Sequence, residues 1–315
     1  MLQCPLHGNQ SLLQIAPDTI FVDLGERHLI PPDSVRRGKM LGRGAFGFVF
    51  KANIKQRGSN TYTEVAMKML QPVDPGFGAK QSDTAAYKAA WNKWQRDPLQ
   101  YACKAYCTAR QELNILLSLR HQNIVPLVGV CTRPLALVLQ LAPMGALDSI
   151  LKNYRRSGAK LDVYVLQRIV FQIAKALEYL HQQHIIYRDL KSENVLVWEL
   201  PPPFHPSTPI PLVETKLADY GISRSTLPTG TKGFGGTEGF MAPEIMRYNG
   251  EEEYTEKVDC QECVKDHILD GGRPSLTKRD MAYPTVPFGS HDTVLVPTSK
   301  RSTFSQPDCF HCPGS

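Results

Sequence analysis

The chain has 315 residues, of which 42% are hydrophobic and 21% charged, with a formal charge of +6. These proportions fit a globular protein able to build a core and exclude wholesale disorder. The positive excess comes without a dominant Lys/Arg run, so it suits acidic partners such as nucleotides but gives no argument for nucleic-acid binding.

The first residues, MLQCPLHGNQSLLQIAP, lack a basic region followed by an apolar core, so no export signal is expected. Eight cysteines in such a chain then predict free thiols in a reducing compartment, which places the protein in the cytoplasm. The apolar runs 124–131 and 135–141 are strand-sized, short of the ~18 residues that span a bilayer.

In chain order, 19–24 is strand-like and is followed by Pro31-Pro32-Asp33 and a basic turn. Cys4 and His7 form half a zinc site with no other half nearby. From residue 41 the sequence reads L-G-R-G-A-F-G-F-V-F, in which Gly42, Gly44 and Gly47 have the spacing G-x-G-x-x-G. Glycines let backbone approach phosphate oxygens without a Cβ clash, and the alternation of Phe46, Phe48 and Phe50 suits a hairpin. In dinucleotide-binding folds the same spacing follows a strand and opens a helix, whereas here it sits between two strand-like pieces. No G-x-x-x-x-G-K-[ST] occurs in the chain.

Residues 63–70 alternate as a strand and carry V-A-M-K, ending at Lys68. A loop with Pro72, Pro75, Gly76 and Gly78 leads to a helix over 84–95. Asp97-Pro98 then interrupts it, and a second helix covers about 99–119. On the second helix Leu113, Leu116 and Leu117 form an inward stripe beside Glu112, the only acidic residue there after Asp97. Trp91 and Trp94 on the first helix suit either the core or a partner surface, with core packing the reading adopted.

Strands over 124–131 and 135–141 end in A-P-M-G-A-L-D, a Pro/Gly turn before a helix. Residues 161–184 form an amphipathic helix with Leu166, Ile169, Val170, Ile173, Ala174, Leu177 and Leu180 at helical spacing. Y-R-D-L-K-S-E-N follows at 187–194. Three jobs at one phosphoryl group fit this short loop: Asp189 can accept a hydroxyl proton, Lys191 can neutralise phosphate charge, and Asn194 can hold a magnesium ion. A strand over 195–198 precedes a proline-rich stretch, 201–211, read as a surface loop or a ligand for a proline-recognition domain. A strand over 213–218 leads to Asp219-Tyr220-Gly221, and a polar, glycine-rich segment runs on to Ala242-Pro243-Glu244.

Glycine loop, V-A-M-K, helix glutamate, Y-R-D-L-K-x-x-N, D-Y-G and A-P-E stand in the order of the eukaryotic protein kinases, which residues 40 to about 259 resemble. Tyr187 and Tyr220 stand where most kinases have histidine and phenylalanine, and Y-R-D with A-D-Y-G-I-S-R resembles the leucine-rich repeat kinases of the Roco family. The resemblance implies an α+β, two-lobed fold with a small β-rich lobe over 39–141, holding one key helix, and a mainly helical lobe over 142–259. Residues 1–38 are then similar to the end of the COR region, and the native protein would also carry leucine-rich repeats and a GTPase domain, with homodimerisation through that parent.

By the same resemblance ATP lies against Leu41, Gly42, Gly44, Gly47, Val49 and Ala66. The hinge residues Gln140, Leu141 and Ala142 meet its adenine, with Leu139 behind and Leu196 below. Lys68 holds the α- and β-phosphates and pairs with Glu112, while Asn194 and Asp219 hold Mg²⁺. Lys191 and Gly236-Thr237 before A-P-E resemble serine/threonine kinases, with Thr237 hydrogen-bonded near Asp189 and Lys191. Ser223, Ser225, Thr226, Thr229 and Thr231 are candidate phosphosites.

The pattern departs from the family after Y-T-E-K-V-D, which ends at Asp259. Asp259 is expected to bond the backbone around Tyr187 and Arg188. The apolar helix that should follow is missing, a gap of roughly 20 residues, through a splice variant or a gene-model error. Residues 260–315 read as a remnant of the large lobe and a disordered tail. Each apolar residue of 161–184 left uncovered costs ~1.5–3 kcal/mol, so a poorly folded large lobe is expected. Cys260-x-x-Cys263 and Cys309-x-x-Cys312 invite a zinc reading, but their separation and the junction favour coincidence. Two functions follow: a serine/threonine protein kinase, or a catalytically dead, truncated module that binds nucleotide or partners.

Overall fold

A computed structural model describes residues 20–43, 47–55, 58, 60–159, 161–202, 212–226, 230–237, 239–247 and 253–260. Gly44, Phe46, Thr229, most of the proline-rich stretch, Cys263, Cys309, Cys312 and the tail lie outside these residues. The chain divides into two compact units, one of residues 1–179 and 192–221, the other of 180–191 and 222–315. Among the described residues no helix is long and apolar enough to cross a membrane.

The first unit is built on a five-stranded antiparallel sheet in the order β1-β2-β3-β5-β4. Its strands are β1 (Val35–Arg43), β2 (Phe48–Lys55), β3 (Tyr62–Met69), β4 (Leu127–Thr132) and β5 (Leu135–Gln140). Period-two alternation sorts the side chains: Phe48, Phe50, Ala52, Val65, Met67 and Met69 share one buried cluster with Cys131, Ala136 and Val138. Val49, Ala66 and Lys68 therefore occupy the other face. The fourth strand starts at Leu127 rather than 124, because Pro126 lacks the amide a ladder needs.

Helix α1 (Gln81–Arg96) and helix α2 (Pro98–Ser118) meet at Asp97, whose carboxylate accepts from the Gln100 amide at 3.0 Å. Pro98 at the first helical position fixes the restart. Helix α2 buries Ala102, Tyr106, Ala109, Leu113 and Leu116, with Ile115 also inside and Leu117 only half-buried. Helix α1 buries nothing: Trp91 is 40% exposed and Trp94 half-buried, which corrects their assignment to the core. A stripe at helical spacing says which residues share a face, not whether anything covers it.

Residues 21–24 form a turn, not a strand. The Leu24 amide bonds the Phe21 carbonyl at 3.0 Å, so buried Phe21 and Leu24 point together onto the fold, with the Phe21 ring 6.4 Å from Tyr106 of α2. Asp23 pairs with Arg110 of α2. The chain then runs as a strap along β4: Ile30 N–H donates to Val130 O at 2.8 Å and Val130 N–H to His28 O at 2.7 Å. Gly129 permits this approach, since a Cβ there would lie 2.7 Å from His28 O.

Helix α3 (Leu147–Ser157) and helix α4 (Val163–Gln182) follow, with the hairpin β7 (Val195–Glu199) and β8 (Glu214–Leu217). The buried line of α4 is Val165, Ile169, Gln172, Ala176 and Leu180, one position round from the expected stripe. Gln172 is inside because it is satisfied: its amide donates to Val213 O at 2.6 Å and its carbonyl accepts from the Thr215 amide and hydroxyl, both at 2.8 Å. Leu166, Val170 and Phe171 of the expected apolar set or its flank are exposed, at 38%, 46% and 51%.

The second unit holds the short pair β6 (Ile185–Ile186) and β9 (Arg224–Ser225). It also has a core of Ile186, Met241, Ala242, Ile245, Tyr254 and Val258. Ala242-Pro243-Glu244 opens the one-turn helix α5 (Pro243–Met246).

Candidate active site

Strand register assembles a cluster in the first unit. Gly42 of β1 pairs with Val49 of β2, Val49 with Lys68 of β3, and Lys68 with Leu137 of β5. The next row is Lys51, Ala66 and Leu139. Lys68 thus emerges from the middle of a sheet, on the face opposite the Phe48–Phe50 core. Gly47 is required by packing, because a Cβ there would sit 2.5 Å from Met69 O. A Cβ on Gly42 would meet nothing within 4 Å, so that end of the loop faces open space. Leu41 is exposed and Val49 half-buried beside it. Gln140 ends β5, its amide bonded to Pro126 O at 3.1 Å, and Leu141 and Ala142 lead into the turn at Gly145. Ala146 bridges Leu196 of β7, which is half-buried.

Lys68 Nζ donates to Glu112 Oε1 and Oε2 at 2.7 and 2.8 Å and to Asp219 Oδ1 at 2.7 Å. The Lys68 side chain is 6% exposed, Glu112 not at all and Asp219 22%. Burial by itself would push the Lys68 ammonium toward neutrality, but the carboxylates of Glu112 and Asp219 more than offset it and hold its pKa above the ordinary value. Burial pushes the Glu112 carboxyl up, opposed by Lys68. Glu112 Oε1 also accepts from the Tyr220 amide at 3.2 Å, so helix, strand and D-Y-G segment are tied at one carboxylate. Tyr220 is fully buried, its hydroxyl donating to Leu217 O at 3.3 Å, and burial drives its phenol well above the usual range. Asp219 has a positive φ of 63° and takes the Gly221 amide on Oδ1 at 3.3 Å. Asn194 is buried, its carbonyl accepting from the Ala218 amide at 2.9 Å next to Asp219.

The second unit carries a cluster of its own. Lys191 Nζ donates to Asp189 Oδ2 at 2.7 Å and contacts Thr237 Oγ1 at 2.6 Å, while the Thr237 hydroxyl donates to Asp189 Oδ1. The sequence anticipated this triangle. Asp259 accepts from the amides of Tyr187 at 2.8 Å and Arg188 at 2.6 Å, also as anticipated, and meets His181 Nε2 at 2.9 Å. Arg188, at φ 69°, donates from Nε to Ile222 O at 2.7 Å and from a terminal nitrogen to the Tyr254 hydroxyl at 2.7 Å. Ser223 donates to Tyr187 O at 3.0 Å, so this candidate phosphosite is a buried structural hydroxyl. His181 and Tyr254 were missed in the sequence. Tyr254 stands in the quoted Y-T-E-K-V-D, where only its distance in space from Arg188 gives it a role.

The donor set at Asp219 and Asn194 is hard oxygen, a carboxylate and an amide, which fits a magnesium ion that keeps most of its water and takes phosphate as its other ligand. Among the described residues no group of three or more His, Cys, Asp or Glu could hold a metal ion.

A buried cluster of Lys68, Glu112 and Asp219 and a triangle of Asp189, Lys191 and Thr237 are groupings of the kind that phosphoryl transfer from a nucleotide can use. The protein kinase domain family matches residues 35–261, and the chain belongs to it. Within that family it is similar to Leucine-rich repeat serine/threonine-protein kinase 1 of Caenorhabditis elegans, 53% identical over 304 residues that take in 90% of this chain and 12% of the relative. It is also similar to Leucine-rich repeat serine/threonine-protein kinase 1 of Mus musculus, 32% identical over 286 residues, 87% of this chain and 13% of the relative. A third relative is the Probable serine/threonine-protein kinase drkD of Dictyostelium discoideum, at 30% over 237 residues, 73% of this chain and 14% of the relative. The chain is thus a protein kinase domain similar to those of leucine-rich repeat kinases, a class that uses ATP, and it spans roughly an eighth of the length of these relatives.

Proposed function

We propose that this chain transfers the γ-phosphoryl group of ATP to serine or threonine hydroxyls of a protein substrate. The observation that carries the reading is the triangle of Asp189, Lys191 and Thr237. Asp189 accepts the proton of the attacking hydroxyl, Lys191 neutralises charge on the transferring group, and Thr237 fixes the two at one distance. Lys68 donates to the α- and β-phosphates, and Glu112 keeps its ammonium charged and aimed. To reach phosphate, Lys68 gives up one of its bonds, and Asp219 is the less buried of its two acceptors. Gly42, Gly44 and Gly47 supply backbone amides, Leu41, Val49, Ala66 and Leu196 enclose the base, and residues 139–142 read its edge. Asn194 and Asp219 hold Mg²⁺, which screens charge between the phosphates when bound.

The reaction belongs to a cytoplasmic signalling protein with leucine-rich repeats and a GTPase domain, dimeric through regions outside this chain. Substitution Asp189→Asn tests the reading: phosphate transfer to a generic Ser/Thr substrate should fall about 10²–10⁴-fold while nucleotide binding persists. Unchanged transfer would overturn it.

The second reading, a nucleotide- or partner-binding module without turnover, is favoured by one observation. Leu166, Val170 and Phe171 of α4 are exposed, as expected where the helix after Asp259 is missing. Turnover in this chain rejects that reading. Turnover only after an apolar helix is restored behind Asp259 supports it.

A further inference from the structure

Helix α1 buries no residue, yet Tyr87, Trp91 and Trp94 stand at i, i+4 and i+7, one stripe along its length. Tyr87 reaches the edge of the sheet core, and its ring lies 6.2 Å from that of Trp91. Beyond it, Trp94 of α1 and Tyr101 and Ala105 of α2 line an open recess of about 200 Å³ that reaches Leu70. Lys93 and Lys104, one from each helix, line the same recess. Both are exposed, and among the described residues neither takes part in an ion pair. Helix α1 adds Lys88 and Arg96 against the single acid Asp83.

Size and charge together select the occupant. Small-molecule pockets run to roughly 300–1,000 Å³, above the size of this recess. An apolar cavity of about 150 Å³ takes a benzene-sized group, so one aromatic or branched aliphatic side chain fills it. Two lysines around a single apolar anchor suit carboxylates flanking that side chain, whereas a nucleic acid would need a continuous basic stripe. We propose that the groove between α1 and α2 docks an acidic peptide segment of a partner protein, with one aromatic or branched aliphatic residue as its anchor.

The position of the groove gives the contact a consequence. Thr108, on the same recess, lies one turn before Glu112 on α2. An occupant therefore packs against the helix whose carboxylate holds Lys68, and it favours the arrangement in which that bond is made.

The test uses the whole chain and a fluorescein-labelled synthetic peptide rich in Glu and Asp with a single Phe, read by anisotropy. Saturable binding is expected, lost when the peptide's Phe becomes Ser. It should weaken by about tenfold or more in Lys93→Glu/Lys104→Glu, whose exposed sites leave folding intact. A peptide with Lys in place of the acids should show the reverse preference, binding the doubly reversed variant better. Trp94→Ala should weaken the acidic peptide without altering the thermal midpoint by more than a surface substitution does. No saturable binding, equal binding of acidic and basic peptides, or full competition by a single-stranded oligonucleotide overturns the proposal. So does self-association of the chain, seen by sedimentation, that Trp94→Ala abolishes, since the face would then belong to a second copy.

Discussion

Lys68 and Lys191 each lie 2.7 Å from an aspartate oxygen, yet their surroundings differ in kind. Lys68 is sealed in with two carboxylates, one of them wholly buried. Lys191 is 17% exposed, and its second partner is a neutral hydroxyl. The first cluster is a charge problem solved by burial of opposite signs, so removing one member leaves the others uncompensated. The second is a positioning device at the edge of water, where one member can change without unfolding the rest. Stability and activity should therefore fall together in the first cluster and separately in the second.

The largest effect is expected from Lys68→Met. It strands Glu112 and Asp219 in the interior and should cost about 3–5 kcal/mol in urea unfolding as well as abolishing transfer. A variant that folds normally would break the comparison. Next comes Asp189→Asn, for which transfer should fall about 10²–10⁴-fold while the urea midpoint stays close to the parent. Thr237→Val removes the hydroxyl shared by Asp189 and Lys191. It should slow transfer about 10- to 100-fold, in line with a hydrogen bond to a charged group, and Thr237→Ser should restore most of it.

The smallest effect concerns an exposed pair. The hydrogen bond from Arg110 holds the Asp23 carboxyl below its ordinary 3.8. A carboxyl depressed on folding stabilises above its unfolded pKa, and that contribution is lost as pH falls through the folded value. Melting curves of the parent and Asp23→Asn should thus differ slightly at neutral pH and converge in acid. Divergence in acid would refute the pairing.

What could be read from the sequence is what chemistry ties to fixed spacing. Glu112 was identified because no other acid was available on its helix, and Thr237 and Asp259 because their partners are two motifs already in place. The rest depends on what lies opposite. The alternation Thr19-Ile20-Phe21-Val22-Asp23-Leu24 reads as a strand, but the i, i+3 pair Phe21 and Leu24 wins by packing on α2. Helix α4 is apolar on more than one flank, so periodicity could not choose the inward one. Gln172 joins that inward face only because β8 offers it backbone partners.

The strap along β4 bears on where this domain can be cut. The family's sequence pattern begins at residue 35, yet Phe21, Leu24 and the paired amides of Ile30 and Val130 are built into the same fold. Excision at the recognisable boundary would uncover the outer side of α2 and unzip one margin of the sheet. The autonomous piece starts no later than Ile20, some residues ahead of the place where its kinship becomes visible.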